Sequence, residues 1–215
     1  MELVVFAGIP ASGKSTESIK YREKGYRIVS SDEIRGRIMN GVSLADVSAE
    51  EQNRINALVF ETVYRNTEEA LRHGQSVVVD ATHLNRGFRT EFLKYFEKFD
   101  CQKKCVLFIT PFEICLQRNR KRTGPAFVPE DVMYWMLGSF ECPSYEEGWD
   151  VIESVTADEP YTNVLKAETH FTCGTPAYDH CTAYLYLTEK CCSCTLSPQD
   201  FQKVLSETVK LHQSP

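Results

Sequence analysis

An α/β fold, a parallel five-stranded sheet with helices on both faces, is predicted by three observations on the 215-residue sequence. Short apolar runs alternate with amphipathic segments over residues 1–155, the pattern of strand–helix–strand units. Several runs are apolar at consecutive positions, as strands buried on both faces must be. A Gly-rich turn joins the first run to the first helical segment.

The elements follow in order. Leu3 to Phe6 reads as a strand and residues 15–24 as a helix. Arg27-Ile28-Val29-Ser30 is a second strand, and Ser30-Ser31-Asp32-Glu33 offers a capping box for the next helix. A polar loop at 40–47 leads to a second box, Ser48-Ala49-Glu50-Glu51. That box opens a long helix with Ile55, Leu58, Val59, Thr62 and Val63 on one face, ended by Gly74. Ser76-Val77-Val78-Val79-Asp80 is a buried strand closed by a carboxylate, followed by a helix with Phe88, Phe92, Tyr95, Phe96 and Phe99 along one stripe. Residues 105–109 form the fourth strand, then Thr110-Pro111-Phe112-Glu113 combines a cap, Pro at the first helical position and Glu at the third. Residues 151–155 supply a fifth strand. Right-handed crossovers place the carboxyl ends of all strands on one edge, where ligands of such sheets bind.

Gly8-Ile9-Pro10-Ala11-Ser12-Gly13-Lys14-Ser15-Thr16 fits Gly, four residues, then Gly-Lys-Ser/Thr. Its glycines let successive N–H groups face one anion, and the following helix adds its positive end. Lys14 would reach terminal phosphates and the Ser15 hydroxyl would hold Mg²⁺. Asp32 is placed to cap a helix, and equally to accept a hydroxyl proton beside a γ-phosphate. Arg35, one turn on, would hold an acceptor phosphate or orient Asp32, or be a solvated charge. Asp80, leaving an apolar strand, has the Walker-B arrangement toward Mg²⁺. His83 reads as a hydrogen-bonding loop residue. Arg118-Asn119-Arg120-Lys121-Arg122 packs four cations into five positions of an acidic protein. The Thr-Gly-Pro after it and a helix restarting at Pro129 indicate a lid, about 118–130, whose arginines would neutralise charge on a transferred phosphoryl group. Trp135, Tyr134 and Phe127 read as packing of the lid helix rather than a base-stacking platform.

A net charge of −6 argues against a general nucleic-acid coat but leaves room for a local basic groove. No apolar run approaches the ~18 residues that span a bilayer, and no basic secretory leader is visible, so no membrane partner and a cytoplasmic location are expected. All nine Cys follow residue 100 without a CxxC pair, and they are read as reduced thiols. Cys191-Cys192-Ser193-Cys194 with His180 lacks the usual zinc-site spacing and reads as a thiol-rich helix end. Helices near 177–189 and 198–211 make 161–215 a helical appendage to a domain at 1–160.

The chain resembles the 5′-hydroxyl polynucleotide kinases of the P-loop kinase class. Four blocks carry the resemblance in the family's order: GIPASGKST at 8–16, SSDEIR at 30–35, VVVDATHLN at 77–85 and RNRKRTGPAFVPEDV at 118–132. A fifth, FECPSYEEGWDVI at 140–152, resembles a segment of related kinases. The resemblance implies a five-stranded parallel core with a lid and transfer of the ATP γ-phosphate, with Mg²⁺, to a nucleic-acid 5′-hydroxyl. It implies Lys14 and Ser15 on phosphates and Mg²⁺, Asp32 as general base, Arg35 on the acceptor phosphate, Asp80 at the Walker-B position, and Arg122 with Arg118 on the donor phosphates. The segment from His170 to His180 is faintly similar to the start of an HD-type phosphohydrolase, but the chain has no His-Asp dipeptide, which argues for a remnant or an unrelated cap. Two other readings stand beside this one: a kinase acting on a small molecule, nucleotide sugar or tRNA, and a nucleotide-binding switch with little turnover. The switch would need no acceptor base, so Asp32 weighs against it.

Overall fold

The computed structural model describes residues 1–42, 46–110 and 112–156; the helices expected at 177–189 and 198–211 and the Cys191–194 cluster lie outside them. Five strands, β1 (Glu2–Ala7), β2 (Arg27–Ser30), β3 (Val77–Asp80), β4 (Gln102–Ile109) and β5 (Val151–Thr156), form one sheet in the order β2-β3-β1-β4-β5. Every pairing is parallel, so all carboxyl ends share one edge. The helices are α1 (Lys14–Glu23), α2 (Ser31–Met39), α3 (Ala49–Arg72), α4 (Arg86–Tyr95), α5 (Phe112–Arg120) and α6 (Glu130–Gly138).

The period of two in β1 divides the core. Leu3, Val5 and Ala7 join Val77, Val79 and Leu107 in a larger cluster with side chains of α3 to α6. Val4 and Phe6 face the other way, with Val78, Val106, Phe108 and Tyr21 of α1. β4 begins three residues before the apolar run, because Gln102 pairs with Glu2 of β1 and Lys104 with Glu153 of β5 (2.6 Å). Register and an ion pair hold those polar residues in the strand.

Ser30 and Ser48 cap α2 and α3 by accepting from the amides of Glu33 and Glu51 at 3.3 and 3.2 Å. Only the serine half of the first box is built, since the Glu33 carboxylate turns to Arg22 and Arg37. The buried stripe of α3 is Ile55, Val59, Val63, Thr67 and Leu71. Leu58, expected on that face, is 46% exposed: one position before Val59, it is rotated about 100° away. On α4, Phe92 and Phe96 are buried against Tyr64, whereas Phe88 and Tyr95 are exposed. Tyr134 packs on Phe112, but Trp135 and Phe127 do not pack the lid; they are 65% and 44% exposed. Thr110, expected as a cap, sends its hydroxyl to the Ser12 carbonyl at 2.8 Å and ties the end of β4 to the loop after β1.

Candidate active site

The loop between β1 and α1 is shaped by two glycines and one strained residue. A Cβ on Gly8 would lie 2.9 Å from Phe108 Cβ and 3.0 Å from Ser12 Oγ, so no other residue fits beneath the loop. Ala11 (φ 64°) and Gly13 (φ 105°) turn the backbone through left-handed conformations, and α1 opens at Lys14 with its first amides directed out of the helix. The Lys14 ammonium is buried and donates to the carbonyls of Gly8 (2.9 Å) and Ile9 (2.7 Å). Burial pushes its pKa below the ordinary lysine value, while the carboxylates of Asp80 and Asp32 push it back up. Gly8 and Ile9 thus act beneath the loop; residues 10–16 line the cleft above it.

Asp80 ends β3 5% exposed, and burial raises its carboxyl pKa, opposed by Lys14 and by a hydrogen bond from Ser15. The hydroxyl and carboxylate expected to flank a metal therefore meet. Asp32 lies at the rim, its side chain 75% exposed and 3.3 Å from Arg35 Nη1. Arg35 Nη2 donates to Asn56 of α3 at 3.0 Å, and its Nε is buried without a partner. Asn56 carried no sequence signal beyond its place in a helix.

The loop after Asp80 is held from below. His83 (φ 41°) is buried with Nδ1 2.9 Å from the Phe6 carbonyl. A carbonyl can only accept, so Nδ1 carries the proton. Burial lowers the His83 pKa from 6.5 to about 4. Arg89 of α4, fully buried, donates from Nη1 to the carbonyls of His83 and Leu84 and from Nε and Nη2 to Glu147 at 2.7 and 2.6 Å. Glu147 also accepts from Trp149 Nε1 (3.0 Å) and the Ser144 amide (3.2 Å). The block at 140–152 is thus the brace of the Asp80 loop. Sequence reasoning missed this pair; an Arg three residues before Phe92 and seven before Phe96, on their buried stripe, was the available signal.

The cationic segment divides its side chains. Arg118 and Arg122 line the cleft, Arg122 donating to the Ala126 carbonyl at 3.3 Å, while Arg120 forms a bidentate pair with Glu130 at 2.6 and 3.0 Å. Asn119, fully buried among these cations, exchanges two bonds with the Val128 backbone at 2.6 and 3.1 Å. It closes the segment over Gly124–Ala126 into a loop. The whole cleft holds about 1280 Å³ and brings Lys14, Ser15, Asp32, Arg35, Asp80, Arg118 and Arg122 to one space.

These residues fit a nucleoside triphosphate with Mg²⁺. A cradle that excludes a Cβ, a buried lysine and a hydroxyl–carboxylate pair match polyphosphate and a hard cation that takes few protein ligands. Among the described residues no cluster of three metal-ligating side chains occurs. Among the described residues no helix is long and apolar enough to cross a membrane. The thiols of Cys101 and Cys105 are buried and unbridged, with pKa values pushed up by burial.

A family model described as an AAA domain matches residues 3–143. The chain is 23% identical over 161 residues to an L-seryl-tRNA(Sec) kinase of Methanococcus maripaludis, covering 73% of this chain and 58% of that protein. It is 23% identical over 171 residues to protein kti12 of Schizosaccharomyces pombe, covering 70% and 55%. It therefore spans little more than half the length of these relatives. Among solved structures, a putative kinase from Chloroflexus aurantiacus matches with a TM-score of 0.57 at 18% identity, over 81% of this chain and 97% of that one. Kti12 of Chaetomium thermophilum in complex with ADP-AlF3 matches with a TM-score of 0.53 at 17% identity, over 75% and 94%. Both likenesses bear on the fold.

Proposed function

The chain belongs to the AAA domain family of P-loop kinases, and on that premise we propose that it transfers the γ-phosphate of ATP to a hydroxyl, the acceptor being the 5′-hydroxyl end of RNA or DNA. One observation carries the kinase reading over a switch: Asp32, an exposed carboxylate steadied by Arg35, stands on the rim of the cleft that Lys14 and Asp80 enter.

In this reading residues 10–16 cradle the phosphates, and Lys14 leaves the Gly8 and Ile9 carbonyls for them. Asp32 accepts the acceptor's hydroxyl proton, the freed oxygen bonds to the γ-phosphorus, and the bond to the β–γ bridging oxygen breaks, releasing ADP. Ser15 and Asp80 would hold Mg²⁺, which offsets charge on the phosphate oxygens. Arg122 and Arg118 neutralise charge from the lid side. In this reading the kinase domain is residues 1–160, with its lid at about 118–130, and the appendage expected at 161–215 lies outside the described residues.

The ordered blocks at 8–16, 30–35, 77–85 and 118–132 support a nucleic-acid acceptor. The relative named as an L-seryl-tRNA(Sec) kinase supports a second reading, an acceptor carried on tRNA. Labelled ATP offered with 5′-hydroxyl RNA, 5′-hydroxyl DNA, nucleosides, nucleotide sugars and tRNA separates them; no label on either oligonucleotide ends the first. Asp32→Asn should keep ATP binding while transfer collapses, and retained transfer removes Asp32 from the mechanism.

A further inference from the structure

The outer half of the cleft is walled by rings. Phe60 of α3 and Phe88 of α4 meet edge to face, centroids 5.1 Å apart, and both line the cleft. Phe127 and Trp135 enter it from the lid side. Phe88, Phe127 and Trp135 are 38%, 44% and 65% exposed, whereas Phe6, Phe92, Phe96 and Phe112 are buried. Gln52, Asn56 and Phe60, at intervals of four, form one row on α3, so Phe60 follows Asn56 along the helix and Asn56 holds Arg35 beside Asp32. The rings therefore begin one helical turn beyond Asn56, the residue that bonds Arg35.

Resting on the acceptor reading above, we propose that this wall is a stacking site for the terminal nucleobase of the 5′-hydroxyl strand, with Trp135 and Phe88 as its faces. Each amide of the wall has one contact within the protein: Gln52 donates to the Val47 carbonyl, Asn56 accepts from Arg35, and Asn85 accepts from the Phe88 amide. The exposed ring faces beside them are surfaces on which every base can stack. The buried Arg35 Nε, without a partner, is a cationic donor of the kind a phosphodiester beside that base would meet. Stacking of this kind tolerates any base, so the site grips a strand end without reading its sequence.

The test is a fluorescence titration. The chain has two tryptophans, and Trp149 is buried on Glu147, so quenching by a stacked base reports Trp135. A 5′-hydroxyl oligonucleotide should quench the signal, the same strand with an abasic 5′ residue should not, and Trp135→Phe should remove most of the effect. Trp135→Ala and Phe88→Ala should each weaken binding of the base-bearing strand about 5- to 150-fold and leave the abasic strand's affinity where it was. An ATP-induced rise in Tm shows that each variant is folded. Equal quenching by both strands, or no quenching, overturns the stacking site. The titration needs no turnover, so it stands apart from the transfer assay: an oligonucleotide that binds through its base but gains no label sinks the proposed reaction and leaves the stacking site.

Discussion

Glu147→Gln should be among the most damaging single-atom changes in the domain, although Glu147 does not line the cleft. Its carboxylate and the Arg89 guanidinium are both fully buried and joined by bonds of 2.7 and 2.6 Å. The amide keeps the shape but replaces one acceptor oxygen with a donor facing guanidinium N–H groups, and the guanidinium loses its countercharge. Breaking one side of a buried pair costs about 3–5 kcal/mol. For a domain of this size that corresponds to a fall in Tm of about 6–20 °C. Calorimetry on both proteins reads it directly. Arg89→Met with Glu147→Leu supplies the control, because removing both charges avoids the stranded ion. The pair should cost clearly less than the sum of the single changes, though more than nothing. The carbonyls of His83 and Leu84 and the Trp149 indole also lose partners, at about 1 kcal/mol each. A Glu147→Gln protein melting within about 2 °C of the parent, or strict additivity of the two sites, refutes the brace.

His83 makes stability depend on pH. Its folded pKa, lowered from 6.5 to about 4, means that the unfolded chain takes up the proton first. Its contribution is therefore present above pH 6.5 and lost as pH falls toward 4, by about 3 kcal/mol in all. Urea midpoints at pH 7 and 5 should diverge in the parent and converge in His83→Asn; an unchanged divergence assigns it to other groups. Gly8→Ala drives a Cβ to within 2.9 Å of Phe108 and should cost about 1–3 kcal/mol, with ATP affinity falling alongside, measured by calorimetric titration. Asn119→Ala removes both bonds that close the lid loop; amide exchange at 121–128 should accelerate and the transfer rate drop, while exchange in the sheet stays as it was.

The sheet was legible because its signals are local. Val77-Val78-Val79 has one reading, a strand with both faces covered, and all three are fully buried. The loop at 8–16 compresses its turn, its lysine and its helix start into nine neighbouring residues. Ser48 announced α3 by bonding three residues ahead. What stayed hidden was paired across distance. Arg89 and Glu147 are 58 residues apart, and no periodicity links an arginine on one helix to a glutamate in a short turn. Asn119 was masked by composition: among four cations it looked like an interruption, whereas it is the residue that folds the segment.

A deeper reason separates the two halves of the cleft. Donor phosphates present the same charge and shape to every kinase, so a contiguous loop suffices and its pattern can be read without a structure. An acceptor has no such constant part, and the wall proposed for it is assembled from side chains on separate elements. Phe88 falls on one stripe with Phe92, Tyr95, Phe96 and Phe99 in the sequence, and rings at such intervals are usually covered. Its position four residues before Phe92 puts it near that stripe, yet Phe92 and Phe96 lie buried in the core against Tyr64, whereas Phe88 meets Phe60 and stays 38% exposed. Beyond the end of the sheet the stripe runs out into the cleft, and the same spacing that builds the core there exposes a ring. Trp135 is displaced in the same way, next to Tyr134, which packs on Phe112, and Met136. Residues that continue a hydrophobic pattern past the point where the fold can bury it form the wall proposed for the acceptor.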